Sequence, residues 1–306
     1  MERKKILVVE ACPRDGWEHQ PFVIKTEDKL RYIRSMIDSG ARVLDLVNFA
    51  DPEQIPQMKD AAAVMQQTRA YVAEHQLAVE CMGLAFDVAG LKRALAAGAT
   101  SLQYAFSASD RTNEKLIHTT LEASLQNMRD ILAHAGGARL KIGLLCSFGS
   151  PYGDDVTLDR LKAICTEALE AGVSTISLAD TAGIASPAHV REIIEGLKAD
   201  VDLDRLSVHV HNAYGMGLAN VMAAVEAGVT SVEGSLGGIG TGPFPFVPGN
   251  YNLPTEDIVN MLEAAGYDTG YSLPRLIAAA RTMCSETGAI HTSHLYDKQD
   301  CLLCRQ

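Results

Sequence analysis

The sequence predicts an α/β fold, a parallel (β/α)8 barrel with a short C-terminal helical extension. Apolar runs typical of strands recur about every 25 to 40 residues and alternate with segments of helical period. Helix-like segments end in glycine and return at once to an apolar run, as in Ala171-Gly172-Val173. Eight such units match the roughly 250 residues of this fold. The alternative, a doubly wound sheet, would carry a glycine-rich dinucleotide-binding turn after its first strand, and the sequence has none there.

The elements follow in order along the chain. Strands are predicted over 5–10, 42–47, 78–84, 101–106, 140–147, 174–179, 206–211 and 230–236. Amphipathic segments between them include Glu27–Ser39, Leu121–His134 and Leu158–Ala171. Thr255-Glu256-Asp257 is expected to open the last barrel helix. We therefore predict a TIM-barrel catalytic domain over residues 1–267, and a C-terminal helix (about 273–287) and tail over residues 268–306.

The composition restricts the class of partner. A formal net charge of −11 disfavours nucleic acid, because phosphate binding needs a basic surface. No apolar stretch approaches the roughly 18 residues of a membrane-spanning helix, and no signal peptide is recognised. The seven scattered cysteines are odd in number, which fits reduced thiols better than a disulfide framework. A soluble cytoplasmic protein is expected, with no nucleic-acid or membrane partner.

Polar side chains follow several predicted strands, at the barrel end where active sites form. Arg14 and Asp15 follow the first strand and Asp45 closes the second. His209 and His211 end the seventh, two positions apart, so both imidazoles can face one point. Two imidazoles and a carboxylate, without cysteine, favour Mg²⁺ or Mn²⁺, with Co²⁺ or Zn²⁺ as alternatives. The sequence predicts a divalent-metal centre in which Arg14 faces a developing oxyanion.

Several short motifs occur in an order that resembles one enzyme family. They are Pro13-Arg14-Asp15-Gly16, Pro56-Gln57-Met58, Cys146 with Pro151-Tyr152, Ser177-Leu178-Ala179-Asp180-Thr181, and His209-x-His211 with Tyr214-Gly215 and Leu218-Ala219-Asn220. Over residues 6–266 the chain resembles the 3-hydroxy-3-methylglutaryl-CoA lyase family, in a superfamily that includes isopropylmalate and homocitrate synthases. The resemblance implies a metal-dependent carbon–carbon lyase (an aldolase) that cleaves a 3-hydroxy acid, or its acyl-CoA thioester, through a metal-stabilised enolate. It also implies a homodimer and a small anionic hydroxy or oxo acid as substrate.

The resemblance implies a fuller metal site. Asp15, His209 and His211 look like the ligands, completed by an asparagine ahead of the last barrel helix. Asn252 keeps the family's spacing to that helix, whereas Asn250 keeps its preceding glycine, so both remain candidates.

The resemblance also implies catalytic roles. Arg14 looks like the arginine that holds the reacting carbonyl or enolate oxygen, and Asp180 like the acidic residue that assists proton transfer near the substrate hydroxyl. Asp45 stands where the family has glutamate, one methylene longer.

The chain departs from the family pattern at the residue expected to transfer a proton. The family carries a catalytic cysteine in the loop after strand eight, where this chain has Gly242. Another group must therefore move the proton, and the candidates are His19, Glu18 and Tyr214. His19 is the most suitable by type, because imidazole both takes and gives a proton near neutral pH.

The chain also departs from the family pattern at the residues expected to bind the CoA part of the substrate. Pro21 and Glu53 stand where the family has lysines near the CoA phosphates. Losing cations and gaining an anion would weaken binding of a polyphosphate. CoA therefore stays an open question.

Two other functions stay open. Val232-Glu233-Gly234 and Asn212 resemble the condensing synthases, which join an acyl-CoA to a 2-oxo acid, but about 40 residues after the barrel are too few for their lid and regulatory domains. A metal-binding pseudoenzyme is the other alternative, because the family thiol is absent. In the tail, His291, His294, Cys301 and Cys304 could form a zinc site or a redox pair, or have no function.

Overall fold

The chain forms a closed barrel of eight parallel strands in a computed structural model that describes residues 3–51, 53 and 55–298. Neighbouring strands pair in sequence order, and the last pairs with the first. The strands are β1 (Leu7–Glu10), β2 (Val43–Asn48), β3 (Glu80–Leu84), β4 (Ser101–Ser107), β5 (Arg139–Leu145), β6 (Thr175–Asp180), β7 (Leu206–Val210) and β8 (Ser231–Gly234). Each overlaps a predicted strand, so the predicted barrel is confirmed.

Helices follow the strands and cover the outside of the barrel. They are α1 (Thr26–Ser39), α2 (Ala61–Glu74), α3 (Val88–Ala96), the short turn α4 (Asp110–Thr112), α5 (Leu121–His134), α6 (Leu158–Ala171), α7 (Pro187–Leu197), α8 (Gly217–Ala227), α9 (Thr255–Ala264) and α10 (Leu273–Thr287). The side chains of Thr120, Thr157 and Ser186 cap α5, α6 and α7 by accepting a backbone N–H of the first turn. Gly172, with φ +108°, ends α6 in the left-handed region that glycine adopts without strain.

The helix predicted near 273–287 is present as α10 and packs against α1. Glu286 accepts hydrogen bonds from Arg31 and from the hydroxyl of Tyr32, and the buried side chains of Leu276 and Met283 join the main core. The boundary between residues 267 and 268 stays a prediction. No helix among the described residues has the length and apolar character to cross a membrane.

The tail motif lies only partly within the described residues. His291 stacks on Tyr296 with ring centroids 3.5 Å apart, and His294 bonds to the Asp257 carboxylate through Nδ1 at 2.8 Å. Cys301 and Cys304 lie outside the described residues, so the zinc and redox alternatives stay predictions.

The inside of the barrel holds a buried ion pair. Lys141 of β5 lies 2.6 Å from an oxygen of Glu233 on β8, and the hydroxyl of Ser207 donates to the same oxygen at 2.7 Å. Lys141 and Glu233 are 6% and 3% exposed. A charge removed from water in this way depends on its partner, because the protein interior solvates an isolated ion poorly.

Replacing one partner of this pair is expected to destabilise the barrel strongly. Lys141→Met should lower the free energy of unfolding by about 3–5 kcal/mol, because it leaves the buried Glu233 carboxylate without its lysine partner. Urea unfolding measures the change. The matched control is Lys162→Met, which removes a surface ion pair with Asp200 and should cost about 1 kcal/mol or less. Equal losses in the two variants would contradict the expectation.

Two carboxyl groups are buried in the barrel wall. Glu10 accepts the backbone N–H groups of Cys12 and Leu236, and Glu256 accepts that of Gly237. One oxygen of each carboxyl, Glu10 Oε2 and Glu256 Oε1, has no hydrogen-bond partner within the described part of the chain. Burial raises the pKa of Glu10 to about 7 and that of Glu256 to about 8. Each carboxyl therefore keeps its proton to a higher pH in the folded protein than in the unfolded chain.

The stability of the protein should fall as the pH rises from about 4.5 to about 8. Over this range the folded state holds protons that the unfolded chain has released, so raising the pH favours unfolding. Glu256→Gln should remove part of the dependence, and should be more stable than the wild type at pH 8.5 by an amount on the order of 3 kcal/mol. Urea unfolding at pH 5 and pH 8.5 tests this, with the exposed Glu226→Gln as control. A pH dependence identical to that of the wild type would refute it.

Candidate active site

A cavity of about 690 Å³ opens at the barrel end where the strands have their C-termini. The loop after β1 contributes Arg14, Asp15, Glu18 and His19 to its lining. His209 and His211 line it from the end of β7, together with residues of the loops after β4, β6 and β8. The structure thus brings the predicted metal-site and loop residues of two distant segments to one cavity.

Asp15, His209 and His211 converge on one point. One ligand atom from each lies within 4.8 Å of the others. The two Nε2 atoms are 3.2 Å apart, and that of His209 is 3.9 Å from Asp15 Oδ2. These separations suit one divalent ion with nitrogen and oxygen ligands at about 2.0–2.2 Å.

Hydrogen bonds at the far side of each imidazole orient both rings. His209 Nδ1 is 3.3 Å from the Glu233 carboxylate, and His211 Nδ1 is 3.1 Å from the backbone carbonyl of Asn250. Both acceptors favour a proton on Nδ1, so the two Nε2 lone pairs point at the same place. Two lone pairs at 3.2 Å repel each other unless a cation lies between them. The donor set therefore fits a bound metal ion.

The two candidate asparagines lie in different places. Asn252, whose backbone bridges to His211, donates through Nδ2 to Asp15 Oδ2 at 2.6 Å and to the carbonyl of Ile239 at 3.1 Å. Asn250 instead donates to the carbonyl of Thr181 at 2.9 Å. Asn252 therefore adjoins the ligand set, whereas Asn250 orients His211 through its carbonyl.

Arg14 is held over the cavity by two carboxylates. A π-helical turn, Cys12–Gly16, follows β1 and carries Arg14 and Asp15 side by side. Arg14 donates to Asp45 Oδ2 from Nε at 2.8 Å and from Nη2 at 2.5 Å, and to Asp15 Oδ1 from Nη1 at 2.7 Å. Burial alone would lower the pKa of Arg14, but the carboxylates of Asp45 and Asp15 raise it well above its usual value. Burial would likewise raise the pKa of Asp15, and Arg14 with the two imidazoles lowers it instead.

The sequence predicted that Asp45 closes the second strand, but the structure places it within β2. β2 continues to Asn48, three residues further, with an irregular register between Asp45 and Val47. The carboxylate is fully buried. It can therefore act only through Arg14, which it orients.

The proton-transfer candidates differ in position. Glu18 lines the cavity and accepts from Asn48 Nδ2 at 2.9 Å, and burial raises its pKa. His19 lines the cavity edge with its side chain two-thirds exposed, 3.9 Å from the Glu18 carboxylate. Tyr214 is 67% exposed and is not among the residues that line the cavity.

Asp180 lies outside the cavity, in contrast to the role predicted for it. Its two oxygens accept the backbone N–H groups of Ile184 and Ala185, both at 3.0 Å. Alternate residues of a strand point to opposite sides, and the neighbours Ala179 and Thr181 are the ones that line the cavity. Asp180 therefore holds the loop after β6 and does not reach the cavity.

The position of the missing thiol is filled by another side chain. Gly242 lines the cavity, but a Cβ added to it would lie 2.1 Å from Asn250 Nδ2 and 2.7 Å from the carbonyl of Thr181. The Asn250 amide occupies the space that a side chain at residue 242 would need. A cysteine there would require this amide to move.

Sequence reasoning missed three contributors to the site. Glu233 orients His209, and Lys141 neutralises the charge of Glu233. Neither residue is recognisable from the sequence, because a buried polar residue within a strand looks like any other strand residue there. His118, in the loop after β4, also lines the cavity. Its place in a βα loop is a weak sequence signal, because polar residues are common in loops.

A parallel barrel with a cavity that holds charged side chains at the C-terminal strand ends is the arrangement of a TIM-barrel enzyme. The family model described as HMGL-like matches residues 5–283, so the chain belongs to the HMGL-like family.

Named relatives agree with this assignment. The chain is 33% identical to hydroxymethylglutaryl-CoA lyase YngG of Bacillus subtilis over 91% of this chain and 92% of that protein. It is 30% identical to the human mitochondrial hydroxymethylglutaryl-CoA lyase over 92% of this chain and 85% of that one. An Acinetobacter baumannii HMG-CoA lyase in complex with coenzyme A and 3-methylmalate superposes with a TM-score of 0.87 at 29% identity, covering 96% of this chain and 95% of that chain. These similarities support a lyase of this family.

Proposed function

We propose that the protein is a divalent-metal-dependent carbon–carbon lyase that cleaves a 3-hydroxy acid, or its acyl-CoA thioester, through an enolate. The observation that carries the proposal is the convergence of Asp15, His209 and His211 beside the guanidinium of Arg14. Cleavage of a carbon–carbon bond next to a hydroxyl leaves negative charge on an oxygen, and fixed cations stabilise such charge most.

Each site residue has a part in this proposal. Asp15, His209, His211 and Asn252 would hold Mg²⁺ or Mn²⁺, which supplies Lewis-acid polarisation of the substrate oxygens. Arg14 faces the enolate oxygen, and Asp45 keeps the guanidinium in place. Glu18 and His19 lie where they can contact the substrate.

The substrate could be a free acid or its CoA thioester, and the two are considered separately. The relatives are named for a CoA thioester, and the Acinetobacter structure contains coenzyme A and 3-methylmalate. In this chain Glu53 pairs with Lys59 at 3.4 Å, and Pro21 offers no charge. We propose a small anionic hydroxy acid as the substrate, with the thioester to be tested beside it.

The test is cleavage of 3-hydroxy-3-methylglutaryl-CoA and of free 3-hydroxy acids by purified protein with Mg²⁺ or Mn²⁺, against a chelated control. Metal-dependent formation of a carbonyl product from any of them supports the lyase. Release of free thiol from an acyl-CoA only when a 2-oxo acid is present would instead support the condensing synthase. Metal binding without turnover of the whole panel would support a pseudoenzyme.

The family resemblance alone supports a dimer, and the odd number of scattered cysteines supports a reducing compartment. We propose a homodimer in the cytoplasm. Light scattering on the purified protein tests the first point, since a monomeric mass at working concentration would contradict it.

A further inference from the structure

Bond cleavage in the proposed reaction needs one group that moves a proton. The hydroxyl oxygen must lose a proton and the enolate carbon must gain one. Among the described residues that line the cavity, none is a cysteine, and position 242 has no side chain. The proton must therefore be carried by another group that faces the cavity.

His118 is an exposed histidine that lines this cavity, and no other role has been assigned to it. It follows the π-helical turn Asn113–Ile117 in the loop between β4 and α5, here called the β4 loop, residues 108–120. π-Helical turns recur at functional sites, and the other π-helical turn in the described chain carries Arg14 and Asp15. His118 has φ +57°, a left-handed conformation uncommon for a residue with a side chain. Such a conformation persists only where its surroundings impose it.

Hydrogen bonds at the start of the β4 loop impose this conformation. Asn113 is fully buried, and its side chain accepts from the backbone N–H of Ser107 at 2.9 Å and donates to the carbonyl of Ser107 at 2.7 Å. The backbone N–H of Thr119 donates to the carbonyl of Asn113 at 3.0 Å. The residues on both sides of His118 are therefore tied to the end of β4.

The β4 loop also packs against the loop in which the thiol is missing. This second loop, the β8 loop, spans residues 235–254 between β8 and α9 and contains Gly242. Leu116 packs in a cluster with Phe244 of the β8 loop, and Lys115 lies 4.9 Å from the ring centre of Tyr152, which in turn contacts Phe244. His118 is thus two residues from Leu116, which packs against the cluster that includes Phe244 of the β8 loop.

We infer that His118 is the catalytic residue that carries the proton in this chain. The inference rests on the proposed lyase function. The His118 imidazole takes the proton of the substrate hydroxyl, the electron pair of the carbon–carbon bond passes into the enolate, and a carbonyl forms at the hydroxyl carbon. The imidazolium then gives the same proton to the enolate carbon. The proton moves from oxygen to carbon, no electron is gained or lost overall, and no co-reactant is needed.

The test compares His118→Asn with His134→Asn and His19→Asn in the metal-loaded enzyme. Asparagine tolerates the left-handed conformation, so His118→Asn should fold while losing the proton carrier. We expect kcat to fall about 100-fold or more, with metal affinity unchanged, an altered pH profile of kcat, and activity partly restored by added imidazole. His134 is exposed at the end of α5, and its one side-chain hydrogen bond among the described residues is to the carbonyl of Asp130, so its replacement should leave kcat unchanged.

Different failures have different meanings. If the wild type cleaves its substrate with metal and His118→Asn keeps both kcat and the pH profile, the assignment of His118 is overturned while the lyase stands. Loss of kcat in His19→Asn, but not in His118→Asn, overturns the assignment of His118 in favour of His19. Loss in His118→Asn without imidazole rescue and with an unchanged pH profile indicates a structural role and also overturns it. A wild type without turnover on the whole panel removes the lyase and this inference together.

Discussion

Asp15→Asn is expected to weaken divalent-metal binding at least about 100-fold, because even the loss of a residue that only supports a metal ligand commonly costs 10–100-fold. The substitution keeps the size of the side chain but removes the anion that faces both imidazoles at the convergence point. Titration of the protein with Mn²⁺ by calorimetry measures the affinity, and kcat at saturating Mn²⁺ measures what activity remains.

The matched control is Asp28→Asn, which removes a surface carboxylate paired with Arg31. It should bind metal as the wild type does. Unchanged affinity in Asp15→Asn would exclude Asp15 as a ligand and, with it, the metal site formed with His209 and His211.

Arg14→Gln is expected to lower kcat about 100- to 1,000-fold, with a smaller effect on KM. Removing one fixed donor from a developing oxyanion typically costs this much, and the interaction is strongest in the transition state. Steady-state kinetics with saturating metal separates the two parameters. A rise in KM at constant kcat would show that Arg14 only binds the substrate.

Arg14→Gln should also destabilise the fold, so a control variant is needed to separate the loss of stability from the loss of catalysis. Without Arg14 the fully buried Asp45 carboxylate loses its ion-pair partner, at a cost of about 3 kcal/mol or more. The double variant Arg14→Gln/Asp45→Asn removes that buried charge as well. It should recover stability to urea while kcat stays low. Recovery of kcat together with stability would mean that Arg14 acts only on the fold.

The amino-acid sequence by itself determined the barrel. Strand-like and helix-like segments alternate with local punctuation, and a (β/α)8 barrel requires only that each unit pack beside the next, so local patterns contain most of the information. The residue types at the strand ends also predicted Arg14, Asp15, His209 and His211, since parallel strands place all their C-termini at one end. The structure places these four residues in one cavity.

Only the tertiary structure decided how the remaining side chains divide between the cavity and the scaffold. Asn250 and Asn252 are two positions apart, yet one orients His211 and the other reaches Asp15. Asp180 follows the expected strand but points away from the cavity, because a one-residue step reverses the side of a strand. The direction of each side chain depends on the backbone geometry and on neighbours that are distant in the sequence. Local sequence patterns contain neither kind of information.

The space at Gly242 gives the clearest case. The sequence determined that the family thiol is absent, because residue 242 is glycine. Only the folded chain shows that the Asn250 amide fills that space and that the β4 loop brings His118 to the same cavity. The β4 and β8 loops are more than one hundred residues apart in the sequence, and close packing, not local preference, determines which side chain occupies which volume.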